Sequence, residues 1–279
     1  MRRRLQLTSE KSKWLSAPYL VWSAIFIIIP LGMIFYYGLT DKTGAFTLEN
    51  IIAITTAGHA KSLRLSLLLS LISTLVCFLL AYPLALILSQ GNAKRHNFII
   101  LIFILPMWMN FLLRTLAWQT LLEKNGVINQ ALAFFHLPTL KIINTPAAII
   151  LGMVYNFLPF MVLPLYNALS KIDQNVINAA HDLGAGYVYT FIRIILPLSV
   201  PGIISGITMV FIPALTTFVI SSLLGGGKLL LIGDVIDQEF TRTSNWHLGS
   251  GLSMVLMIFI LVNMVLSAIF DKDGEGNML

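Results

Sequence analysis

The chain has 279 residues, of which 57% are hydrophobic and only 11% are charged. A soluble domain usually carries about 25% charged residues, so these proportions exclude a water-soluble globular protein of this size. The formal net charge of +6 does not indicate nucleic-acid binding, because basic residues cluster at the N-terminus, just before the first apolar segment. The sequence therefore predicts an integral membrane protein that lies in the lipid bilayer.

Six apolar segments are long enough for transmembrane helices, which need about 20 mostly apolar residues each. The predicted fold is all-α and polytopic, with helices at residues 17–39, 63–89, 98–118, 146–169, 198–224 and 248–270. The transmembrane domain is expected to cover residues 17–270, between an N-terminal arm, residues 1–16, and a C-terminal tail, residues 271–279. Residues 121–135 are also apolar but contain polar interruptions, and we expect a short surface or re-entrant helix there.

The distribution of Lys and Arg favours a cytoplasmic location for both termini. The N-terminal arm and the short turn with Lys94 and Arg95 concentrate positive charge, whereas the loops on the opposite side are longer. The positive-inside bias is counted over short loops near the ends of spans. Both termini and the loop between the fourth and fifth spans are therefore expected on the inner side.

The interiors of the predicted spans contain no Asp, Glu or Lys. Ion- and proton-coupled transporters usually need ionisable groups at membrane depth. The sequence also has no G-x-x-x-x-G-K-[ST] phosphate-binding loop, and its histidines are scattered. If the protein moves a solute uphill, another chain must supply the energy, and we expect no catalytic residue, metal or cofactor on this one.

The loop between the fourth and fifth predicted spans carries the most specific pattern. Asp173 is a good N-cap, and Gly184 is a natural helix stop. Periodicity predicts a short amphipathic helix at about residues 173–184, with one face formed by Val176, Ala180 and Leu183. Such a helix could lie on the inner lipid surface, but this one has almost no Lys or Arg, which lipid-surface helices usually carry.

This loop resembles the E-A-A-x-x-x-G-x(9)-I-x-L-P signature of permease subunits of binding-protein-dependent ABC importers. The matching residues are Ala179, Ala180, Gly184, Ile194, Leu196 and Pro197. Asn178 stands where the family usually has glutamate. The resemblance implies the type I ABC importer permease fold, in which this helix docks on an ATPase subunit. The coupling residues that it implies are Asn178, Ala179, Ala180, Asp182, Leu183 and Gly184.

Further segments resemble the spermidine/putrescine permeases of the same family, over about residues 17–270. These segments are residues 159–166, 180–185, 190–197 and 223–233. The resemblance implies polyamine import across the cytoplasmic membrane of a bacterium. It also implies a homologous second permease, two ATP-binding subunits that hold ATP and Mg²⁺, and an extracytoplasmic polyamine-binding protein. The residues alone leave two alternatives, an importer for another small solute and a membrane scaffold that moves nothing.

A passage for a polycation must stabilise positive charge without trapping it. Aromatic faces do so through cation–π contacts of about 0.5–2 kcal/mol each. We predict a passage of aromatic and hydroxyl side chains, with acids after the fifth span as an outer attraction site: Trp108, Tyr155, Phe160, Thr217, Phe218, Ser222, Asp234, Asp237 and Glu239. Ser222 stands where the resembling permeases often have aspartate, so one cation-binding carboxylate is missing. For any single aromatic residue, packing in the core or against lipid is the simpler interpretation.

Overall fold

The structure is a computed structural model that describes residues 18–89 and 105–276. The regular elements in these residues are helices, and an isolated antiparallel bridge joins Thr40 to Phe46. The all-α prediction is therefore confirmed.

In chain order, the helices are α1 (Pro18–Gly38), α2 (Ala57–Ser89), α3 (Phe111–Leu122), α4 (Val127–Phe134), α5 (Pro146–Leu169), α6 (Gln174–Asp182), α7 (Tyr187–Leu198), α8 (Val200–Thr216), α9 (Val219–Leu224), α10 (Ile232–Thr241) and α11 (Trp246–Gly276). Shorter helical turns cover Glu49–Ile52, Ala53–Thr55 and Leu105–Trp108. α4 lies inside the segment 121–135, where a short helix was expected.

Four described helices are long and apolar enough to cross a membrane, namely α1, α2, α5 and α11 over Trp246–Val265. The pair α7 and α8, bent by 62°, is a fifth candidate. The first, second, fourth and sixth predicted spans each correspond to one of the four helices. The second begins earlier than predicted, at Ala57. These helices confirm a polytopic membrane protein.

The third predicted span is not one continuous helix. Its residues 98–104 lie outside the described residues, and the rest divides into the turn at Leu105–Trp108 and α3. Asn110 marks the division, because its Oδ1 accepts hydrogen bonds from Leu112 N at 2.8 Å and from Leu113 N at 3.3 Å. An asparagine cap of this kind starts a new helix inside an apolar stretch.

The fifth predicted span, residues 198–224, is also divided, and the prediction of one continuous helix is wrong. The chain bends at Ser199 between α7 and α8. α8 ends at Thr216, and Thr217 is extended, with ψ of 139°. α9 then begins as a separate short helix. Apolar composition alone gives no sign of these two backbone breaks.

The centre of the fold is formed by α2, α5 and α8, which pack against one another. α1 packs against α11, and α11 also contacts α8 and α10. Small side chains allow membrane helices to approach closely. They line the buried face of α2 at Ser62, Ser66, Ser70, Ser73, Thr74, Cys77, Ala81 and Ala85.

Two glycines bring α8 against α5. A Cβ atom on Gly202 would lie 2.8 Å from Pro164 O, and one on Gly206 would lie 2.7 Å from Met161 Sδ. The contact requires glycine at position 202, because the obstructing atom there is a backbone oxygen, whereas the methionine side chain at Gly206 could shift.

We expect Gly202→Ala to destabilise the protein by about 1–3 kcal/mol, because the obstructing atom belongs to the backbone of α5. Gly32→Ala is the matched control on α1, where nothing lies within 4 Å of an added Cβ. Alanine also favours a helix over glycine, so the control should be neutral or stabilising. Thermal unfolding in detergent measures both, and equal midpoints would contradict the close α5–α8 contact.

Candidate functional site

α6 has a defined start and a defined end. Asp173 accepts a hydrogen bond from Asn175 N at 2.9 Å and caps the first turn. At the other end Gly184 has φ of +85°, and Ala185 N donates to Ala180 O at 3.0 Å. This is the Schellman type of helix end, in which glycine adopts the left-handed conformation. The short helix predicted from these capping residues is present.

α6 has one attached face and one open face. Ile177 packs against the core, whereas Leu183 is 89% exposed and Tyr187 is 86% exposed. These exposed apolar side chains are available for contact with another chain or with the membrane surface. Of the other predicted coupling residues, Ala180 is half-buried, and three are exposed, namely Asn178, Ala179 and Asp182.

Hydroxyl groups tie the bend between α7 and α8 to the core. The buried Ser199 Oγ donates to Leu196 O at 2.9 Å and lies 2.9 Å from Tyr82 Oη of α2. Either of the two hydroxyl groups can be the donor of this bond. α6 therefore leads through a short turn and α7 into a bend held by the central helices.

A cavity of about 460 Å³ lies where α8 ends, between α8, α10 and α11. Its polar groups are the carboxylate of Asp237 and the hydroxyls of Thr216 and Ser253, and Phe218, 44% exposed, contributes an aromatic ring. The remaining wall is mostly apolar and includes Ile236, Phe240, Leu256, Met257, Ile260 and Leu261. One carboxylate, one ring and an aliphatic wall are chemically complementary to an alkylammonium group.

Asp234 lies one turn before Asp237 on α10, but its carboxylate is bonded to the backbone and does not line the cavity. It is 3% exposed, and its Oδ2 accepts from Leu231 N at 2.8 Å. The next amide, Ile232 N, donates to Ser66 Oγ of α2 at 2.8 Å. Two N–H groups at the start of α10 are thus satisfied inside the protein, and Asp234 is a helix cap.

The family profile described as "Binding-protein-dependent transport system inner membrane component" matches residues 49–272, which is most of the chain. This chain belongs to that family of transport permeases. It is therefore a multi-pass inner membrane subunit of a bacterial importer, and a transport component rather than an enzyme. The family resemblance of the α6 segment is confirmed.

The permease is similar to several curated relatives. It is 38% identical to the spermidine/putrescine transport system permease protein PotB of Escherichia coli (strain K12) over 266 residues, which cover 91% of this chain and 97% of that protein. PotB of Haemophilus influenzae is 36% identical, with 86% of this chain and 88% of that protein covered. A PotB homolog of Mycoplasma genitalium is 32% identical, with 77% and 75% covered.

Solved structures share the fold of this permease. A chain of a bacterial ABC transporter involved in the import of the acidic polysaccharide alginate has a TM-score of 0.77 and 18% identity, covering 94% of this chain and 96% of that one. A chain of the MetNI methionine ABC transporter has a TM-score of 0.55 and 17% identity, with 77% and 95% covered. These likenesses confirm the type I ABC importer permease fold.

The structure brings some of the predicted path residues together. Phe218 and Asp237 line the cavity at the end of α8, and the buried Thr217 lies at the adjoining break. Tyr155 lines a different, apolar cavity of about 490 Å³, where its ring lies 5.2 Å from that of Trp118. The path itself stays a prediction, now centred on the first of these cavities.

Six predicted path residues line neither cavity, including Thr217 at the break and the buried Asp234. Trp108 is 77% exposed on its helical turn, Phe160 is 36% exposed on α5, and Ser222 is exposed on α9. Glu239 accepts a hydrogen bond from Thr243 Oγ1 at 2.7 Å. Within residues 18–89 and 105–276, no group of three His, Cys, Asp or Glu side chains is placed to hold a metal ion.

Sequence reasoning missed the hydroxyl groups that organise this site. Ser66 and Ser199 bond to segments distant in the chain, and Ser253 reaches the cavity from α11. Of these three serines, only Ser66 is indicated by the sequence, because the spacing of small residues on α2 marks the face on which it lies. Ser199 and Ser253 have no comparable pattern around them.

The buried environment of Asp234 makes the stability of the folded protein depend on pH. Burial raises the pKa of Asp234 from 3.8 to about 6, hydrogen bonds from Ser221 and Leu231 N act in the opposite direction, and the charge of Asp237 adds to the rise. The folded chain therefore holds this proton more tightly than the unfolded chain. The resulting stabilisation is complete below the ordinary pKa and is lost as the pH rises through about 6.

Asp234→Asn should keep the cap, because an amide oxygen still accepts from Leu231 N–H, and it removes the ionisation. We expect this variant to be as stable as the wild type or more stable above about pH 7, and to lose the wild-type decline near pH 6. Asp234→Ala, which loses the cap, should be about 0.5–2 kcal/mol less stable. Thermal unfolding across this pH range tests both variants, and a wild-type midpoint independent of pH would contradict the buried, titrating cap.

Proposed function

We propose that this permease imports polyamines such as spermidine and putrescine, driven by ATP hydrolysis on separate subunits. The observation that carries this proposal is the 36–38% identity to spermidine/putrescine permeases over most of both chains. The cavity at the end of α8 supports it chemically. Asp237 can pair with an ammonium group, Phe218 can stack on it, and the aliphatic wall can hold the methylene chain between two amines.

The proposed complex contains a homologous second permease, two ATP-binding subunits and an extracytoplasmic polyamine-binding protein. The family takes its name from dependence on a binding protein. One solved structure of similar fold is a bacterial alginate ABC transporter in complex with an alginate pentasaccharide-bound periplasmic protein. ATP and Mg²⁺ would bind to the partner ATPases, since the sequence of this chain has no phosphate-binding loop. We also propose that both termini lie in the cytoplasm, as the basic N-terminal arm favours.

The exposed end of α6 is the surface that we propose for the ATPase. It combines apolar exposure at Leu183 with small residues at Ala179 and Ala180 that permit close approach. From α6 the chain runs through α7 to the bend at Ser199. Closure of the ATPases would thus act on the central helices through a short and well-capped connection.

Asp237 is the acid that we propose to meet the solute. The carboxylate of Asp234 is buried and engaged by Leu231 N–H, and that of Glu239 accepts from Thr243. A single half-buried carboxylate attracts a cation without the tight hold that several converging carboxylates would exert. Such weak attraction suits a passage that must release its solute.

Import of another solute is the remaining alternative from the sequence, because the same fold occurs in a transporter for alginate. No feature of the described cavity favours an anionic solute over a cation. The deciding experiment is uptake by the reconstituted complex in proteoliposomes, with labelled spermidine and an excess of unlabelled competitors. Competition by polyamines and not by amino acids or sugars is expected, and the reverse order would overturn the polyamine proposal.

Asp237→Asn should raise the KM for spermidine uptake by about 10-fold or more, because a hydrogen bond to a charged group contributes about 1.5–3 kcal/mol. Glu239→Gln on the same helix is the matched control and should leave KM near the wild-type value. Phe218→Leu keeps an apolar side chain but removes the ring, and we expect a smaller rise, of about 2- to 30-fold.

Uptake kinetics over a range of spermidine concentrations separate these outcomes. A KM that changes as much with Glu239→Gln as with Asp237→Asn would show that general surface charge matters and that the cavity does not. If Asp237→Asn and Phe218→Leu both leave the kinetics unchanged, the solute does not pass through this cavity.

Gly184→Val should uncouple ATP hydrolysis from uptake, with the protein still in the membrane. Gly184 has φ of +85° and open space around it, so the damage comes from backbone strain and not from a clash. Left-handed conformations cost other residues roughly 1–2 kcal/mol. Gly186→Val is the matched control, because Gly186 is equally open but has φ of −71°. The ratio of solute imported to ATP hydrolysed should fall several-fold only for Gly184→Val, and equal ratios would exclude this end of α6 as the coupling surface.

A further inference from the structure

α4 is fixed to the fold by a buried asparagine. Asn129 donates from Nδ2 to Glu123 O and to Leu140 O, both at 3.0 Å, and its Oδ1 accepts from Leu140 N at 2.7 Å. These bonds tie α4 to the end of α3 and to the segment that leads into α5. The turn before α4 is equally tight, because a Cβ on Gly126 would lie 2.5 Å from Thr120 O. α4 therefore has a fixed position on the protein.

The start of α5 locates α4 relative to the membrane. α5 is one of the helices long and apolar enough to cross a membrane, and it begins at Pro146, six residues after Leu140. α4 also packs against α3, which in turn packs against α5. The loop with α6 follows the other end of α5, which lies at Leu169. α4 is thus at the membrane surface opposite to that of α6.

The side of α4 that faces away from the protein is apolar. Ile128 packs against the buried core, whereas Phe134 is 80% exposed and Val127 is also exposed. Val127, Ala131 and Phe134 recur at i, i+4 and i+7 and therefore share one face of the helix. Phe135, 69% exposed, extends this face, and α4 itself contains no Asp, Glu, Lys or Arg. An apolar face of this kind needs a cover other than water.

The lipid bilayer adjoins this face. α3, which α4 contacts, exposes Leu112, Leu113 and Leu116 within the third apolar segment, so the face of α4 continues a surface that lipid covers in a membrane protein. Interfacial helices place Phe and Leu side chains at the boundary between headgroups and acyl chains. Lys124 and Lys141 are exposed just outside α4, where they can meet lipid phosphates.

A soluble partner explains the face less well. A binding protein must leave the permease to capture more solute, and the rings of Phe134 and Phe135 would then face water. The hydrophobic effect opposes such repeated exposure of apolar surface. Lipid, in contrast, is present at every stage of transport.

We propose that α4 lies in the lipid interface and anchors the connection between α3 and α5 at that surface. Val127, Ala131 and Phe134 then face the acyl chains. Ala133 is two residues after Ala131, hence on nearly the opposite side of the helix, and it faces water. The inference depends on the membrane location of this permease and is independent of its solute.

The test compares Ala131→Cys with Ala133→Cys in the complete complex in nanodiscs. Each variant replaces an exposed alanine, and the buried native cysteine is removed from both by Cys77→Ala. Both carry a nitroxide spin label, whose collisions are measured with oxygen, which concentrates in lipid, and with a nickel chelate, which stays in water. We expect the ratio of oxygen to nickel collisions to be several-fold higher at position 131 than at position 133.

Equal ratios at the two positions, with ready access for the nickel chelate, would place α4 in water and overturn the proposal. Loss of collisions with both reagents at position 131 would show that another chain, such as the second permease, covers the face. Protection that appears only after the binding protein is added would assign the face to that protein. None of these measurements needs a solute, so a failure of the polyamine assignment would appear in uptake competition alone.

Phe134→Trp answers the same question without a label. Its additional fluorescence, measured as the difference from the wild type, should be quenched by lipids brominated in the upper part of the acyl chain. Aqueous iodide should quench it little. The reverse order of quenching would contradict an interfacial position for α4.

Discussion

The backbone of a membrane helix can be interrupted only where the protein supplies new partners for the freed N–H and C=O groups. In this permease the interruptions coincide with the candidate functional segments. Asn110 caps α3 where the third predicted span divides. Ser66 and Asp234 take the amides of Ile232 and Leu231 at the start of α10. The polar side chains of the apolar region thus serve first to permit breaks in the helices, and the break at Thr217 lies beside the cavity at the end of α8.

Close packing joins the central helices into one unit. α8 contacts α5 closely at Gly202 and Gly206. Tyr82 and Ser199 attach the α7–α8 bend to α2 in the same unit. α9 packs on α5 as well, because a Cβ on Gly152 would lie 2.9 Å from Ile220 Cγ2, and Ile220 and Leu224 are fully buried. If α6 docks on the ATPase as proposed, force arriving there would move these helices together.

The sequence predicts those elements whose ends depend on local chemistry. α5 begins at a proline in its first turn and has the predicted bounds, and α6 begins after Asp173 and ends before Gly184. The break at Thr217 was not predictable, because the surrounding residues are apolar enough to continue a helix. The segment that packs on the break is distant in the chain, since a Cβ on Gly233 would lie 2.7 Å from Thr216 O. Only the folded chain brings α10 against the end of α8.

The different roles of the two acids on α10 were also not predictable from the sequence. Asp234 and Asp237 are three residues apart and look equivalent in the sequence, yet Asp234 is buried with its carboxylate bonded to Leu231 N–H, and Asp237 lines the cavity. Their different positions matter for a cationic solute. Two free carboxylates one turn apart would hold a diamine firmly, whereas Asp234 is buried and its carboxylate accepts from Leu231 N–H. The cavity is left with one available negative charge. In a system where a separate binding protein captures the solute, the permease gains nothing from high affinity. A single carboxylate beside an aromatic ring allows the solute to enter and to leave, so that ATP hydrolysis on the proposed partner subunits can drive transport by moving the helices.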